Sequence, residues 1–413
     1  MATKGCNGNE IEDAATTNRY GSYLQNEIEC IIREASSRCE VMDFTLSTTN
    51  QGPLEEENSN QDLQESPIHE SAGRRKSTIE PTCAACSMEW SIQLEKALRS
   101  SKPGVRVQTI LQMGPRLQQW SMELECDVAS NSKPGLVPGE DRLFANAILL
   151  RLADAFRGGD KEVRLSVVKV FLLERKHREN RKHKQCKGFL SKARVANHLE
   201  LLNRVKSVYD TGDLESKALA LILFGCWADF SNDNAQIRYL ILSSLICPHD
   251  CEAQASIFAA GCFCEISDDF ACITMEMLFN MMSSPAVTLP VKLTAAQVFA
   301  RFKCSYSTAI KAFKTGLVLV MSSSDEDFSV AMLFSLSELA SNFTLLTSNQ
   351  VDFLGSFLTQ ERTSRLQETA LRCLRFLFRK GRCEYPVEHL SSIEKCVTKP
   401  PCSVNQVVQD LLS

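Results

Sequence analysis

The fold of this chain is decided by a stretch near its middle, residues 195–266, which reads VANHLELLNRVKSVYDTGDLESKALALILFGCWADFSNDNAQIRYLILSSLICPHDCEAQASIFAAGCFCEI. In its first part, apolar residues recur every three or four positions from Val195 to Tyr209, which is the spacing of a helix with one buried face. The run 210–213, Asp-Thr-Gly-Asp, interrupts this pattern. Asp213 is placed to cap a following helix, with Glu215 in its first turn.

Two runs of this stretch have the composition of buried helices, unlike the one-sided runs that precede them. Leu214–Phe230 is apolar on nearly all sides, so we expect one helix that neighbours cover on several sides. After a polar break, Ile237–Ile246 forms another one-sided stripe, and Cys251–Ile266 is again apolar all round. The stretch therefore predicts two helical hairpins, each with a half-exposed first helix and a buried second helix.

The turns before the second helices recur at a near-constant interval along the chain. They are marked by Asp213, Asp250, Pro290, Asp327 and Ser364, which lie 37, 40, 37 and 37 residues apart. A period of ~40 residues with two helices per unit and no strand pattern is typical of HEAT and armadillo repeats. We therefore predict an all-α, ARM/HEAT-like α-solenoid of about seven helical hairpins after a disordered N-terminal segment.

Composition limits the class of protein. The 413 residues are 44% apolar and 23% charged with a formal net charge of -4, so most of the chain can fold and nothing global favours a nucleic-acid binder. No apolar run reaches the ~18 residues of a membrane span, so no membrane contact is expected, and the first residues lack the apolar core of a signal peptide. The 18 cysteines are scattered through apolar segments, which favours a reducing compartment where they act as small core residues.

The chain divides into three parts by polarity. Residues 1–82 are polar and poor in large apolar residues, so we expect a disordered N-terminal extension. Residues 83–381 carry the helical repeat array, interrupted by a basic insertion at 174–188 that we expect to be a loop. Residues 382–413 predict short helices that continue the array in part.

The basic insertion is the main candidate contact site. Seven of its side chains could meet phosphates or an acidic partner, or be read as a nuclear import signal: Arg175, Lys176, Arg178, Arg181, Lys182, Lys184 and Lys187. Aromatic residues are not interleaved with them, which argues against base stacking. The alternative is an ordinary solvated loop. We expect that neutralising Arg175, Lys176, Arg181, Lys182 and Lys184 leaves folding intact.

Other candidate sites have simpler explanations. The Cys83-x-x-Cys86 pair lacks a second pair at zinc-ribbon spacing, and the crowded turn at 247–251 offers two cysteines and a histidine without a fourth metal ligand. The methionines between 275 and 282 fit a core stripe better than a binding face. Phosphate-binding glycine loops, nucleophile elbows and zinc-protease motifs are absent. We expect no catalytic residue, no cofactor and no metal.

Five runs in collinear order carry a family resemblance. They are ACSMEWSIQLEKALRS at 85–100, ILLRLADAFR at 148–157, FLSKARV at 189–195, ESKALALILFGCW at 215–227 and FAAGCFCE at 258–265. Together the likeness spans residues 83–380 and resembles the subunit seven family of the Integrator complex, most of all its plant members. The motifs are packing motifs, so their specificity comes from many matches in series. Members of that family are longer, so the chain corresponds to an N-terminal part of them.

The resemblance implies an armadillo-like solenoid that acts as a non-catalytic scaffold in the nucleus. It is compatible with an additional cytoplasmic pool of the protein. Its implied partners are the other Integrator subunits and, indirectly, the RNA polymerase II machinery. The complex cleaves the 3′ ends of small nuclear RNAs and terminates paused transcripts, with its enzymes in other subunits. No catalytic residues follow from the resemblance.

Two other hypotheses stay open. An importin-like or general adaptor solenoid would bind peptide segments along an Asn/Trp ladder, but the chain has only Trp90, Trp120 and Trp227. Direct RNA contact through the basic insertion is the second hypothesis.

Overall fold

The computed structural model describes residues 83–127, 140–180, 188–359 and 362–380, together with Cys30. These residues form α-helices and one short 3₁₀ helix, and no strand occurs among them. The extension expected at 1–82 and the short helices expected at 382–413 lie outside the described residues.

In the described ranges the helices pair into seven consecutive hairpins. The first helices of the hairpins are α1 (Cys83–Leu98), α3 (Glu140–Gly158), α5 (His198–Thr211), α8 (Ala235–Leu245), α10 (Asp268–Ser283), α12 (Tyr306–Ser322) and α14 (Thr344–Thr359). The second helices are α2 (Pro103–Asp127), α4 (Lys161–Asn180), α6 (Leu214–Cys226), α9 (Asp250–Cys264), α11 (Leu289–Val298), α13 (Glu326–Ala340) and α15 (Ser364–Arg379). A short α7 (Ala228–Ser231) follows α6, and the 3₁₀ helix η1 (Phe299–Arg301) follows α11.

The second helices form one continuous row. Each of them packs against the next along the chain, from α2 to α15. A single hydrophobic core runs from Leu94 in α1 to Leu377 in α15 without a break between hairpins. Because each hairpin buries its apolar face against its neighbours, the architecture is that of a helical solenoid. The predicted all-α fold and the predicted number of hairpins are confirmed.

Capping residues set the repeat period. The N-caps of five successive second helices are Asp213, His249, Thr288, Asp325 and Thr363, which lie 36, 39, 37 and 38 residues apart. Asp213 accepts the backbone N–H of Ser216 at 2.9 Å, so its predicted capping role is confirmed. The other four turn residues that mark the repeat in the sequence each lie within two positions of a cap: Asp250, Pro290, Asp327 and Ser364.

The extent of burial of the second helices agrees with their apolar composition. Every residue of α9 from Cys251 to Cys264 is buried, whereas the preceding helix α8 buries only one stripe. The methionine stripe also belongs to the core, because Met275 and Met282 are buried and the methionines between them pack against the same cluster.

The prediction of one helix over Leu214–Phe230 is wrong. Helix α6 ends at Cys226, and Trp227 leaves helical geometry before the single turn of α7 begins. The buried hydroxyl of Ser231 donates to the carbonyl oxygens of Phe224 at 3.0 Å and Trp227 at 2.8 Å. The bond to Phe224 satisfies a carbonyl at the end of α6 that a continuing helix would have used, whereas the Trp227 carbonyl also accepts the backbone N–H of Ser231 at 2.9 Å.

Candidate interaction surfaces and a buried charge ring

The basic insertion begins inside a helix. Helix α4 continues to Asn180, so the prediction of a loop is wrong for residues 174–180. Its charged end stays helical because Arg175 is only 3% exposed and pairs with carboxylates inside the protein. A local polarity pattern cannot reveal such partners, since one of them, Glu265, lies 90 positions away.

The seven predicted contact residues have different environments. Arg175 is buried and therefore unavailable as a surface contact. Arg178 is partly buried, and its guanidinium meets the Asp229 carboxylate of α7 at 2.5 Å. Lys176 is exposed. The remaining four residues lie outside the described part of the chain: Arg181, Lys182, Lys184 and Lys187.

Four charged side chains from three hairpins form a closed ring of alternating sign, which we call the charge ring. Arg175 Nη2 lies 3.0 Å from Glu179 Oε1 and 3.1 Å from Glu265 Oε2. Arg301 Nη1 lies 3.2 Å from Glu265 Oε1 and 3.5 Å from Glu179 Oε1. Each arginine therefore contacts both glutamates, and each glutamate contacts both arginines.

The charge ring packs against the aromatic ring of Phe258. The guanidinium carbons of Arg175 and Arg301 lie 5.9 Å and 5.7 Å from the centre of the Phe258 ring, within the range of a cation–π contact. Both arginines are almost fully buried, and burying a charge is costly unless it is paired. Burial opposes ionisation of Arg175, but nearby groups including the two glutamates keep its pKa above the ordinary arginine value.

The charge ring lies where several second helices end. Glu265 is the C-cap of α9, and Arg301 is the last residue of η1, directly after α11. Arg175 and Glu179 belong to the last two turns of α4. Helix C-termini carry partial negative charge from their unpaired carbonyls, so two arginines are well placed at this convergence.

Two glycines permit the close approach that the charge ring needs. A Cβ added to Gly225 on α6 would lie 2.9 Å from the backbone Cα of Ala259 on α9. A Cβ added to Gly261 on α9 would lie 2.8 Å from the Arg301 side chain. Real Cβ atoms do not tolerate such distances without a shift, so both positions require glycine or local rearrangement.

The buried cysteines near the charge ring are unreactive core residues. Burial raises the pKa of the thiols of Cys226, Cys262 and Cys264 above the ordinary cysteine value. A thiol that stays protonated at neutral pH is a poor nucleophile and a poor metal ligand. Cys272 and Cys304, by contrast, are exposed.

The first helices present the most exposed apolar side chains. Seven large apolar side chains in the described part are more than half exposed: Leu143, Leu199, Tyr239, Ile246, Val318, Met321 and Leu345. All seven lie on first helices or, for Ile246, at the C-cap of α8. Second helices in the same part have no apolar side chain exposed to that extent. We call the solvent side of the first helices the outer face, which is the better candidate for protein contact.

Other kinds of site are not found among the described residues. No helix there combines the length and apolarity that crossing a membrane requires. The turn at 247–251 brings no group of three metal-ligating side chains together, and neither does any other place in the described ranges.

Comparison with known proteins decides the family. Residues 142–412 match the family described as "Integrator complex subunit 7, N-terminal". The chain belongs to this family. The match begins in α3 and continues through all later helices of the described part. It includes all four residues of the charge ring.

Full-length relatives share this part at low identity. The human protein named Integrator complex subunit 7 is 23% identical over 310 residues, which cover 75% of this chain and 29% of that protein. The homolog from Dictyostelium discoideum is 23% identical over 254 residues, covering 61% of this chain and 23% of that protein. The chain therefore spans less than a third of the length of these Integrator complex subunit 7 relatives.

The solved structures that resemble parts of this chain do so only weakly. Kap121p superposes with a TM-score of 0.46 at 11% identity, covering 78% of this chain and 33% of that protein. UNC-45 from Drosophila melanogaster gives a TM-score of 0.20 at 12% identity, over 80% of this chain and 57% of that protein. The solenoid assignment rests on the helix order and packing described above.

Proposed function

We propose that this Integrator complex subunit 7 family member is a non-catalytic scaffold subunit of the nuclear Integrator complex. In that role it supports small nuclear RNA 3′-end processing and RNA polymerase II transcription termination through protein–protein contacts. The family match over residues 142–412 is the observation that carries this proposal. The scaffold role is supported by the solenoid architecture, since solenoids offer extended surfaces for other proteins.

The outer face is the surface we assign to these contacts. Its exposed apolar side chains occur in five of the seven hairpins, so a partner could lie along several repeats at once. Burial of such side chains is the main favourable term in most protein–protein association. The second-helix row lacks a comparable set in the described part of the chain.

Affinity purification from nuclear extract tests the proposal. The tagged chain is expressed in cells, and co-purifying Integrator subunits are quantified by mass spectrometry. We expect them to be enriched over a tag-only sample, and their absence would overturn the scaffold role for this chain. The double variant Tyr239→Ser/Ile246→Ser on the outer face should lower the recovery of at least one subunit.

A matched pair of changes controls for misfolding. Leu111 on α2 and Leu214 on α6 are less than half exposed and lie on second helices. The double variant Leu111→Ser/Leu214→Ser should recover the same subunits as the unmodified chain. If both double variants behave alike, the outer face is not the contact surface.

A further inference from the structure

We propose that the charge ring is a rigid joint that couples the second hairpin to the fourth and fifth, and thereby fixes how the two ends of the array are oriented. The joint is a property of the isolated chain. Its consequence for spacing the partners on the outer face rests on the scaffold function proposed above.

The distances along the second-helix row show why this contact is unusual. Between α4 and α11 lie two other second helices, so three interhelical steps separate them. Each step is ~8–10 Å, which places the two helices on the order of 24–30 Å apart in a straight stack. Glu179 on α4 nevertheless reaches Arg301 after α11 at 3.5 Å. The C-terminal ends of these helices must therefore converge on one point.

Coupling between non-neighbouring hairpins departs from ordinary solenoid behaviour. Repeats in a solenoid usually contact only the next repeat, so bending strain and local opening spread stepwise. The Arg175–Glu265 contact skips the third hairpin, and the Glu179–Arg301 contact skips the third and fourth. In later hairpins the described pairs join neighbours, as Arg365 on α15 does with Asp327 on α13 at 2.6 Å.

Burial makes the joint stiff rather than adjustable. Surface ion pairs exchange readily with water, but a buried charge that loses its partner remains desolvated and unpaired. Moving the fourth or the fifth hairpin disturbs both ring contacts of its side chain at once, and moving the second disturbs the Arg175–Glu265 and Glu179–Arg301 contacts together. The close contact at Gly225 adds a steric limit, since α6 and α9 already touch backbone to backbone.

Hydrogen–deuterium exchange of the full chain tests the coupling. Glu179→Gln keeps the shape of the side chain and removes its charge, and the residue is partly exposed, so the variant should fold. We expect amide exchange in α11 and η1 to accelerate about tenfold or more, although the change is on α4. Glu200→Gln is the matched control, because it removes a carboxylate that pairs with Arg204 within α5. It should leave α11 and η1 unchanged.

The reciprocal variant and a distance measurement complete the test. Arg301→Met should accelerate exchange in α4, three hairpins earlier. Should that variant fail to fold, Glu179→Gln alone decides. Spin labels carried by unnatural amino acids at Glu162 and Lys314 should show a broader distance distribution in Glu179→Gln than in the unmodified chain. Acceleration confined to neighbouring hairpins, or an unchanged distribution, would overturn the joint.

These readouts are independent of complex assembly. If exchange and distance change as expected while no Integrator subunit co-purifies, the joint stands and the scaffold function fails. If subunits co-purify but distant exchange is unaffected, the scaffold function stands and the joint fails.

Discussion

Gly225 on α6 lies directly against Ala259 on α9, with room for a hydrogen but not for a methyl group. The same position also faces Phe258 and Cys262, whose side chains adjoin the charge ring. A close backbone approach between two second helices, beside residues that adjoin the charge ring, therefore depends on one small residue.

Gly225→Ala should destabilise the chain by about 1–3 kcal/mol, because the added carbon meets backbone that cannot move aside. Gly104→Ala in the first turn of α2 is the control, since its new Cβ would meet no neighbour within 4 Å. There the gain in helix propensity should stabilise by up to ~1 kcal/mol. Urea unfolding followed by circular dichroism measures both, and equal effects would contradict the assigned contact.

Arg175 and its neighbour Lys176 should respond differently to the same change. Arg175→Met leaves the partly buried carboxylates of Glu265 and Glu179 with one partner fewer, which should cost about 3 kcal/mol, the low end for a broken buried pair. Lys176→Met changes an exposed position and should stay within about 0.5 kcal/mol. Thermal unfolding compares the two variants. This expectation replaces the one drawn from sequence, in which neutralising these two residues together with Arg181, Lys182 and Lys184 leaves folding intact.

The N-cap of α6 should contribute to stability in a pH-dependent way. Asp213→Ala should cost about 1 kcal/mol, because the N–H of Ser216 loses its acceptor. Burial alone would raise the pKa of Asp213, but the Ser216 hydrogen bonds and Lys161 outweigh it and hold the pKa below the ordinary value. A lowered folded-state pKa means that the contribution is present at neutral pH and is lost as the pH falls below ~4.

The difference between Asp213 and Asp213→Ala should therefore shrink when unfolding is repeated near pH 3. His249→Ala provides the comparison, since His249 caps α9 without a side-chain hydrogen bond. Its effect should be small at both pH values. An Asp213→Ala cost that stays constant with pH would contradict the ionised cap.

Thiol labelling should separate the cysteines by burial. Cys272 is exposed and should react with iodoacetamide in the folded chain, whereas Cys226, Cys262 and Cys264 should react only after denaturation. Cys304 is also exposed, but partial burial of its thiol and the nearby Asp268 raise its pKa, so it should label more slowly than Cys272. Peptide mass spectrometry resolves each site. Rapid native labelling of Cys262 would show that the core around the charge ring is open.

Local signals predicted the fold well. Asp213 and the polar turns like it act within three residues, so their spacing revealed the repeat directly. The all-round apolar composition of the second helices identified the buried row. The sequence pattern did not predict the break at Trp227. The hydrogen bonds that the Ser231 hydroxyl makes beside this break become visible only once both ends of the turn are placed.

The charge ring could not be predicted from local sequence patterns. Its members in contact with one another are separated by 4 to 122 positions, and only the contact within α4 falls inside one helix. A weak signal existed, since Glu265 and Arg301 each interrupt an otherwise apolar run. That pattern marks a buried charge but does not identify its partner, and for the same reason the sequence predicts a loop where the C-terminal end of α4 lies.

The 122 positions between Glu179 and Arg301 also impose an order on biosynthesis. A ribosome adding ~5–20 residues per second makes Arg301 roughly 6–24 s after Glu179. During that interval the C-terminal part of α4 exists without the arginine that completes its surroundings. The earlier hairpins can dock as they emerge, but this region reaches its final arrangement only after the fifth hairpin has left the exit tunnel. Nascent chains arrested before residue 301 should therefore be more sensitive to protease in α4 than chains arrested well beyond it.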